Sequence, residues 1–129
     1  YGISVYFHSG RDIAYVGARC TPKILNKMLR QFPRLNIIAA HFGAFQLWEE
    51  VYTYLAGENI YLDTAYLFGY IDMGLFHKIV EKHDSNKILF ATDSPWVGQP
   101  DYVSRIFELG FDDNKLSKIL HQNAENLFN

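Results

Sequence analysis

Four short apolar runs, each ending in a polar residue and followed by a segment with helical spacing, constrain this chain more than any other feature. Residues 2–7 (Gly-Ile-Ser-Val-Tyr-Phe) are rich in β-branched and aromatic side chains and end at His8-Ser9-Gly10. Residues 36–40 form an apolar run that ends at His41-Phe42-Gly43, and residues 60–64 a third run containing Asp63. Residues 88–92 make the fourth, which stops at Asp93 before Ser94-Pro95-Trp96 turns the chain away. Between the runs the apolar period changes from strand-like to helical.

Thr21-Pro22 is a helix start with proline in the first turn, after which Ile24, Leu25, Met28, Leu29 and Phe32 recur on one face until Pro33. Leu47, Val51, Tyr54 and Leu55 mark a second helix closed by Gly57, and Phe76, Ile79 and Val80 a third reaching His83. Val103, Ile106 and Phe107 mark a fourth; Asp112 or Asp113 caps a last helix running toward Leu127. Residues 11–20 read as a mixed loop or short helix. The order is therefore β-α-β-α-β-α-β-α-α, which calls for an α/β fold with a parallel sheet and right-handed crossovers. The repeating βα step is that of a barrel, yet a complete (β/α)8 barrel needs about 250 residues. With 129 residues, this chain holds four units, half of that.

Composition narrows the function classes. A charge of −2 without a basic stripe argues against nucleic acid as a partner, and no apolar run approaches membrane-spanning length. A cytoplasmic location is the expectation; no signal-like segment opens the chain, but it begins without Met, so that absence does not carry the expectation. A single cysteine, Cys20, forms no internal disulfide and reads as a half-buried small residue before a helix. No glycine-rich phosphate loop and no nucleophile elbow is present, which argues against nucleotide binding and serine hydrolysis.

His8, His41 and Asp93 all end strands of one parallel sheet, so all three are expected on the same edge, where binding and chemistry occur in barrels and open α/β sheets. Imidazole nitrogens and a carboxylate are ligands that zinc accepts, and a catalytic site leaves one position for water. Gly10 and Gly43, each two residues past its histidine, let the chain turn without blocking that approach. Taken alone, a strand-end histidine is more often a hydrogen-bonded core residue, and Asp93 or Ser94 alone reads equally well as the cap of a helical turn with Pro95 at its first position.

His8-Ser9-Gly10, Ala40-His41-Phe42-Gly43, residues 90–95 (Phe-Ala-Thr-Asp-Ser-Pro) and the terminal Ile119-Leu120-His121-Gln122-Asn123-Ala124-Glu125-Asn126-Leu127-Phe128 together resemble the amidohydrolase superfamily. They look most like its amidohydrolase-related branch, which includes decarboxylases of the aminocarboxymuconate-semialdehyde type. The resemblance implies that residues 1–129 are a single partial domain, the C-terminal half (strands five to eight) of a TIM (β/α)8 barrel. It implies that His8 and Asp93 bind a divalent metal, expected to be Zn2+, as one ion or two. His41 is then a second-metal ligand or, together with Asp93, a proton-transferring catalytic group. Three departures stand out. Ala91 and Ala44 replace small glycines, and His121 stands where the terminal motif has glycine. The His-x-His pair of strand one and any strand-four ligand are absent from these residues.

The activity implied is metal-dependent hydrolysis of amide- or ester-like bonds, or non-oxidative decarboxylation, of a small molecule. Trp96 is a candidate wall for a planar substrate, with packing as its alternative. Asp63 either lines the pocket or caps the following turn. His77 and His83 are read as solvent-facing or as partners of a helix C-terminus, and Asn123 as a donor to backbone. Four strands do not close a barrel, so the first and last strands are expected as open edges whose inward residues, Ile37 and Leu89 among them, lack cover. A homo-oligomer, or pairing with the missing N-terminal half, is the expected remedy. The competing reading is a non-catalytic α/β binding module, or an inactive fragment, using the same sheet edge.

Overall fold

A computed structural model describes residues 3–129; Gly2, the first residue of the expected opening strand, lies outside the described residues. The elements are β1 (Ser4–Phe7), α1 (Pro22–Gln31), β2 (Asn36–Ala39), α2 (Trp48–Tyr54), β3 (Tyr61–Asp63), α3 (Met73–Lys82), β4 (Ile88–Leu89), α4 (Gln99–Phe107), α5 (Asp113–Ser117) and α6 (Asn123–Phe128). The four strands are parallel and lie in sequence order, the arrangement that successive right-handed βα units produce. Residues 11–20 form a loop with no helix.

The helices start where side chains satisfy their free amides. Thr21 accepts from the Ile24 N–H at 3.4 Å, with Pro22 inside the first turn of α1. Asp72 accepts from Leu75 N–H at 2.9 Å and caps α3 four residues before its first apolar marker, Phe76. Asp112 rather than Asp113 caps α5, accepting from Lys115 N–H at 2.8 Å.

Register fixes the two faces of the sheet. Phe7, Ala39, Leu62 and Ile88 stand in one row, and Val5 pairs with Ile37 on the same face. These side chains pack with Leu25, Leu29, Val51, Leu55 and Ile79 from the helices into the main core. Ile37 therefore faces the helices, contrary to the inward placement expected for it; Ile38, Leu89 and the half-exposed Tyr6 lie on the opposite face.

Two departures from the expected elements have local causes. β4 is only two residues long because Thr64 takes over the pairing: its hydroxyl accepts from Ala91 N–H at 3.0 Å and donates to Ala91 O at 2.9 Å. The last helix is interrupted by a π-helical turn at Lys118–Gln122, and Ile119 O within it receives the Phe90 N–H at 3.0 Å. Asn123 donates to Ser85 O and Ile88 O, both at 2.8 Å, as expected of it.

His83 is not solvent-facing. It is 5% exposed; its Nδ1 accepts from Gly57 N–H at 3.1 Å and its Nε2 donates to Ile60 O at 3.0 Å, tying the end of α3 to the loop before β3. Burial holds its pKa below the ordinary histidine value. His77 is half-buried, its ring edge-on to Phe76 and Phe111. Among the described residues no helix is long and apolar enough to cross a membrane.

Candidate active site

The ends of β1, β2 and β4 open onto one cavity of about 490 Å³ whose lining includes His8, His41, Asp93 and Trp96. These come from three strand ends far apart in sequence, brought to one edge by the parallel topology. His8 Nδ1 lies 3.2 Å from His41 Nε2, with the two rings edge-to-face at 4.9 Å between centroids. His8 is well exposed, and its Nε2 lies 3.5 Å from Asp12 Oδ2.

His41 is buried and has a left-handed backbone, φ 58°. Its Nδ1 faces Ala65 O at 3.1 Å, and a carbonyl only accepts, so Nδ1 carries the proton and Nε2 presents its lone pair toward His8 and the cavity. Burial, the largest influence, and the neighbouring His8 lower its pKa, opposed by the Ala65 carbonyl and the nearby carboxylates, so the neutral ring is favoured. Asp93 and Tyr66 also have positive φ, 66° and 51°. Among the described residues, three of the five non-glycine residues with this costly conformation line the cavity, a concentration common where a side chain is aimed rather than merely packed.

Asp63 does not line the cavity. It is 1% exposed; Oδ1 accepts from His41 N–H and Ala65 N–H, both at 2.9 Å, and Oδ2 accepts from the Tyr6 hydroxyl. With every oxygen engaged by the protein, its capping role displaces the substrate-contact role also expected for it. Burial pushes its carboxyl up to about 7, against the opposing pull of the backbone amides. Trp96 lies at the cavity rim, 76% exposed.

Sequence reasoning missed Arg11, Asp12, Phe45 and Tyr66, all of which line the cavity. Arg11 and Asp12 directly follow His8-Ser9-Gly10, and a charged pair just past a strand-end glycine was the available signal. Phe45 and Tyr66 follow the ends of β2 and β3 by a few residues in the same way.

The donor set fits a metal in part. Two imidazole nitrogens 3.2 Å apart match two ligands each about 2.0–2.1 Å from one ion at roughly 100°. Among the described residues, however, no three His, Cys, Asp or Glu side chains gather closely enough to hold an ion. The geometry thus matches two positions of a coordination shell and no third among the described residues.

Four parallel βα units in sequence order, with histidine and carboxylate side chains beyond the strand ends, are the arrangement of a partial TIM barrel. A family model described as Amidohydrolase matches residues 1–129, and the chain belongs to that family. The resemblance of its motifs to the amidohydrolase superfamily is borne out. An uncharacterised TIM-barrel protein from Bordetella bronchiseptica is 25% identical, with a TM-score of 0.74 over 98% of this chain and 45% of that one. A probable 2-pyrone-4,6-dicarboxylic acid hydrolase from Acinetobacter baumannii is 17% identical, with a TM-score of 0.69 over 98% of this chain and 52% of that one. A dihydroxybenzoic acid decarboxylase from Polaromonas sp. JS666, solved with manganese and 2-nitroresorcinol, is 21% identical, with a TM-score of 0.62 over 83% of this chain and 38% of that one. The chain thus spans about half the length, or less, of these solved structures. A comparison with curated proteins finds no match.

Proposed function

We propose that residues 1–129 form strands five to eight of a metal-dependent barrel enzyme acting on a small, planar, anionic molecule. The chemistry is hydrolysis of an amide- or ester-like bond or non-oxidative decarboxylation. The observation that carries the reading is the meeting of His8, His41 and Asp93, from three strand ends, in one cavity with Arg11 and aromatic walls. A cytoplasmic location and a single partial domain remain expectations of the same reading.

His8 and Asp93 are the proposed metal ligands, with His41 beside them. Imidazole and carboxylate suit zinc, and they suit the manganese held by the decarboxylase relative equally well. A divalent ion bound there supplies Lewis acidity and makes water acidic near neutral pH. The chain's own groups do the rest. His41, neutral and with its Nδ1 proton engaged by Ala65 O, offers Nε2 as a proton acceptor toward the cavity. Arg11, which makes no ion pair among the described residues, faces an anionic substituent. Phe45, Tyr66 and Trp96 bound the slot for a ring and narrow the access of water.

Equilibrium dialysis of the full-length protein against Zn2+ and Mn2+, followed by elemental analysis, tests the assignment. His8→Ala and Asp93→Asn are expected to lower metal affinity by more than about 100-fold, beyond the 10–100-fold typical of residues that only support ligands. His41→Asn is expected to lower turnover far more than metal content. A wild-type protein that takes up neither metal would leave the binding-module reading in its place.

A further inference from the structure

His41 and Phe42 are consecutive non-glycine residues in the left-handed region, at φ 58° and 56°. Left-handed backbone is unfavourable for a non-glycine residue, so this turn persists only because its surroundings enforce it. Four hydrogen bonds do so. Asp63 Oδ1 accepts from His41 N–H at 2.9 Å, and Asp63 O accepts from Phe42 N–H at 2.7 Å. Ala65 O accepts from His41 Nδ1–H at 3.1 Å, and Trp48 Nε1–H donates to His41 O at 3.0 Å. Three of the four come from residues 63–65.

Asp63 also sets the carbonyl that reads the imidazole. Its Oδ1 takes the Ala65 N–H at 2.9 Å as well as that of His41, so one oxygen clamps the turn after β2 to the turn after β3. The Tyr6 hydroxyl on the other oxygen ties the same carboxylate to β1. Buried and outside the cavity lining, Asp63 acts on a ligand only through what it holds.

We propose that Asp63 is the positioning residue for His41: its carboxylate maintains the left-handed turn and thereby fixes the Nδ1–H tautomer, with Nε2 directed into the cavity. The importance of that lone pair rests on the function proposed above; the tautomer assignment does not. It runs against the preference of free imidazole, which favours the Nε2–H form. A cap that merely stabilised the β3 turn would leave the tautomer untouched.

Two-bond 1H–15N spectra of the full chain at about pH 8, where histidine is neutral, read each tautomer directly. In the wild type, His41 is expected to show the Nδ1–H pattern alone, and His83 the Nε2–H pattern that its bonds to Gly57 and Ile60 dictate. Asp63→Ala is expected to convert His41 to a mixture dominated by Nε2–H while leaving His83 unchanged. Asp63→Asn keeps an amide oxygen at the Oδ1 position and is expected to retain the wild-type His41 pattern. His41 holding its Nδ1–H pattern in Asp63→Ala would overturn the proposal. So would its loss in Asp63→Asn with His83 intact, since charge rather than the two amide bonds would then be in control. Where Asp63→Ala scrambles both histidines by unfolding, the Asp63→Asn spectrum decides. A protein without metal or activity gives the same spectra, so failure of the functional reading is distinguishable from failure of this one.

Discussion

Gly10 is where the two histidine-bearing strand ends are fastened together, and Gly10→Ala should separate them. Gly10 has φ +92°, and a Cβ built there would stand 2.2 Å from Phe45 N, 2.4 Å from Phe45 O and 2.6 Å from Ala44 C. All three are backbone atoms, so no rotamer change relieves the clash. The segment after β2 has to withdraw by about 1 Å to reach ordinary contact, near 3.5 Å. Phe45 N–H to Ser9 O and Arg11 N–H to Phe45 O, both at 2.9 Å, then pass out of hydrogen-bonding range. The left-handed conformation costs an L-residue about 1–2 kcal/mol, and two lost bonds with buried partners add about 2–3 kcal/mol. The sum is about 3–5 kcal/mol.

Gly17 is the internal control. It lies in the same loop with φ +86°, but a Cβ there meets nothing within 4 Å. Gly17→Ala should therefore cost only the conformational part, about 1–2 kcal/mol. Urea denaturation of both variants in the full-length protein isolates the contact contribution as their difference. Equal losses, within about 0.5 kcal/mol, would show that the close approach of Gly10 to Phe45 does not hold in solution, and the fixed His8–His41 separation would fall with it.

His83→Gln removes a buried imidazole whose folded pKa is lowered, chiefly by burial. As pH falls below about 6.5, the unfolded chain takes up a proton that the folded chain refuses, so the wild type loses stability until the folded pKa is reached. The wild-type advantage over His83→Gln should shrink between pH 8 and pH 5.5 in urea titrations; an advantage that grows on acidification would refute the assigned neutral form. The Asp63 contribution has the opposite slope, since its raised pKa makes stability fall as pH rises from about 4 toward 7, and it cancels in that difference. Residues 1–129 expressed by themselves are expected to self-associate and to be catalytically inert; light scattering with a metal assay checks this, and a stable monomer that binds zinc tightly and turns over substrate would refute it.

The strand ends were legible because a buried parallel strand is apolar throughout, so a histidine or aspartate at its end interrupts a clear pattern. That same continuity hid which residues face which way. Ile37 and Ile38 are both apolar, and only the pairing with Val5 and Tyr6 decides that Ile37 packs under the helices. The length of β4 was illegible for another reason: Thr64 replaces backbone pairing with a hydroxyl, and nothing in a threonine announces that. Asp63 and His83 were ambiguous because capping, ligand contact and solvation ask for the same polar side chains. Only their partners, the amides of His41 and Ala65 for one and the Gly57–Ile60 loop for the other, separate the roles. Arg11 and Tyr66 belong to loops, whose paths follow from the tertiary structure rather than from any period in the residues.

The sheet's two outer strands differ in a way that bears on how a barrel forms around them. β1 pairs only with β2 among the described residues, and the Tyr6 side chain reaches over the sheet to Asp63 rather than covering the free edge. Along β4 the outward groups already have partners: Ile88 O takes the Asn123 amide and Phe90 N–H reaches Ile119 O. The expectation of two open edges therefore holds for β1 and needs correction for β4, where the π-helical turn presents the Ile119 carbonyl to the strand. A strand joining on the β4 side must displace those two bonds, at about 1 kcal/mol each, or run alongside only from residues beyond Phe90. A strand joining β1 displaces no such bond among the described residues. Two copies meeting through a two-fold axis at β1 would place those strands antiparallel and extend the sheet, because an isologous contact puts the same edge on both sides. Rebuilding a closed eight-stranded barrel requires instead that each β1 meet the other copy's β4. The self-association of these residues is therefore expected to favour the open, β1-to-β1 form, which leaves the two cavities apart and explains why such a dimer would be inert.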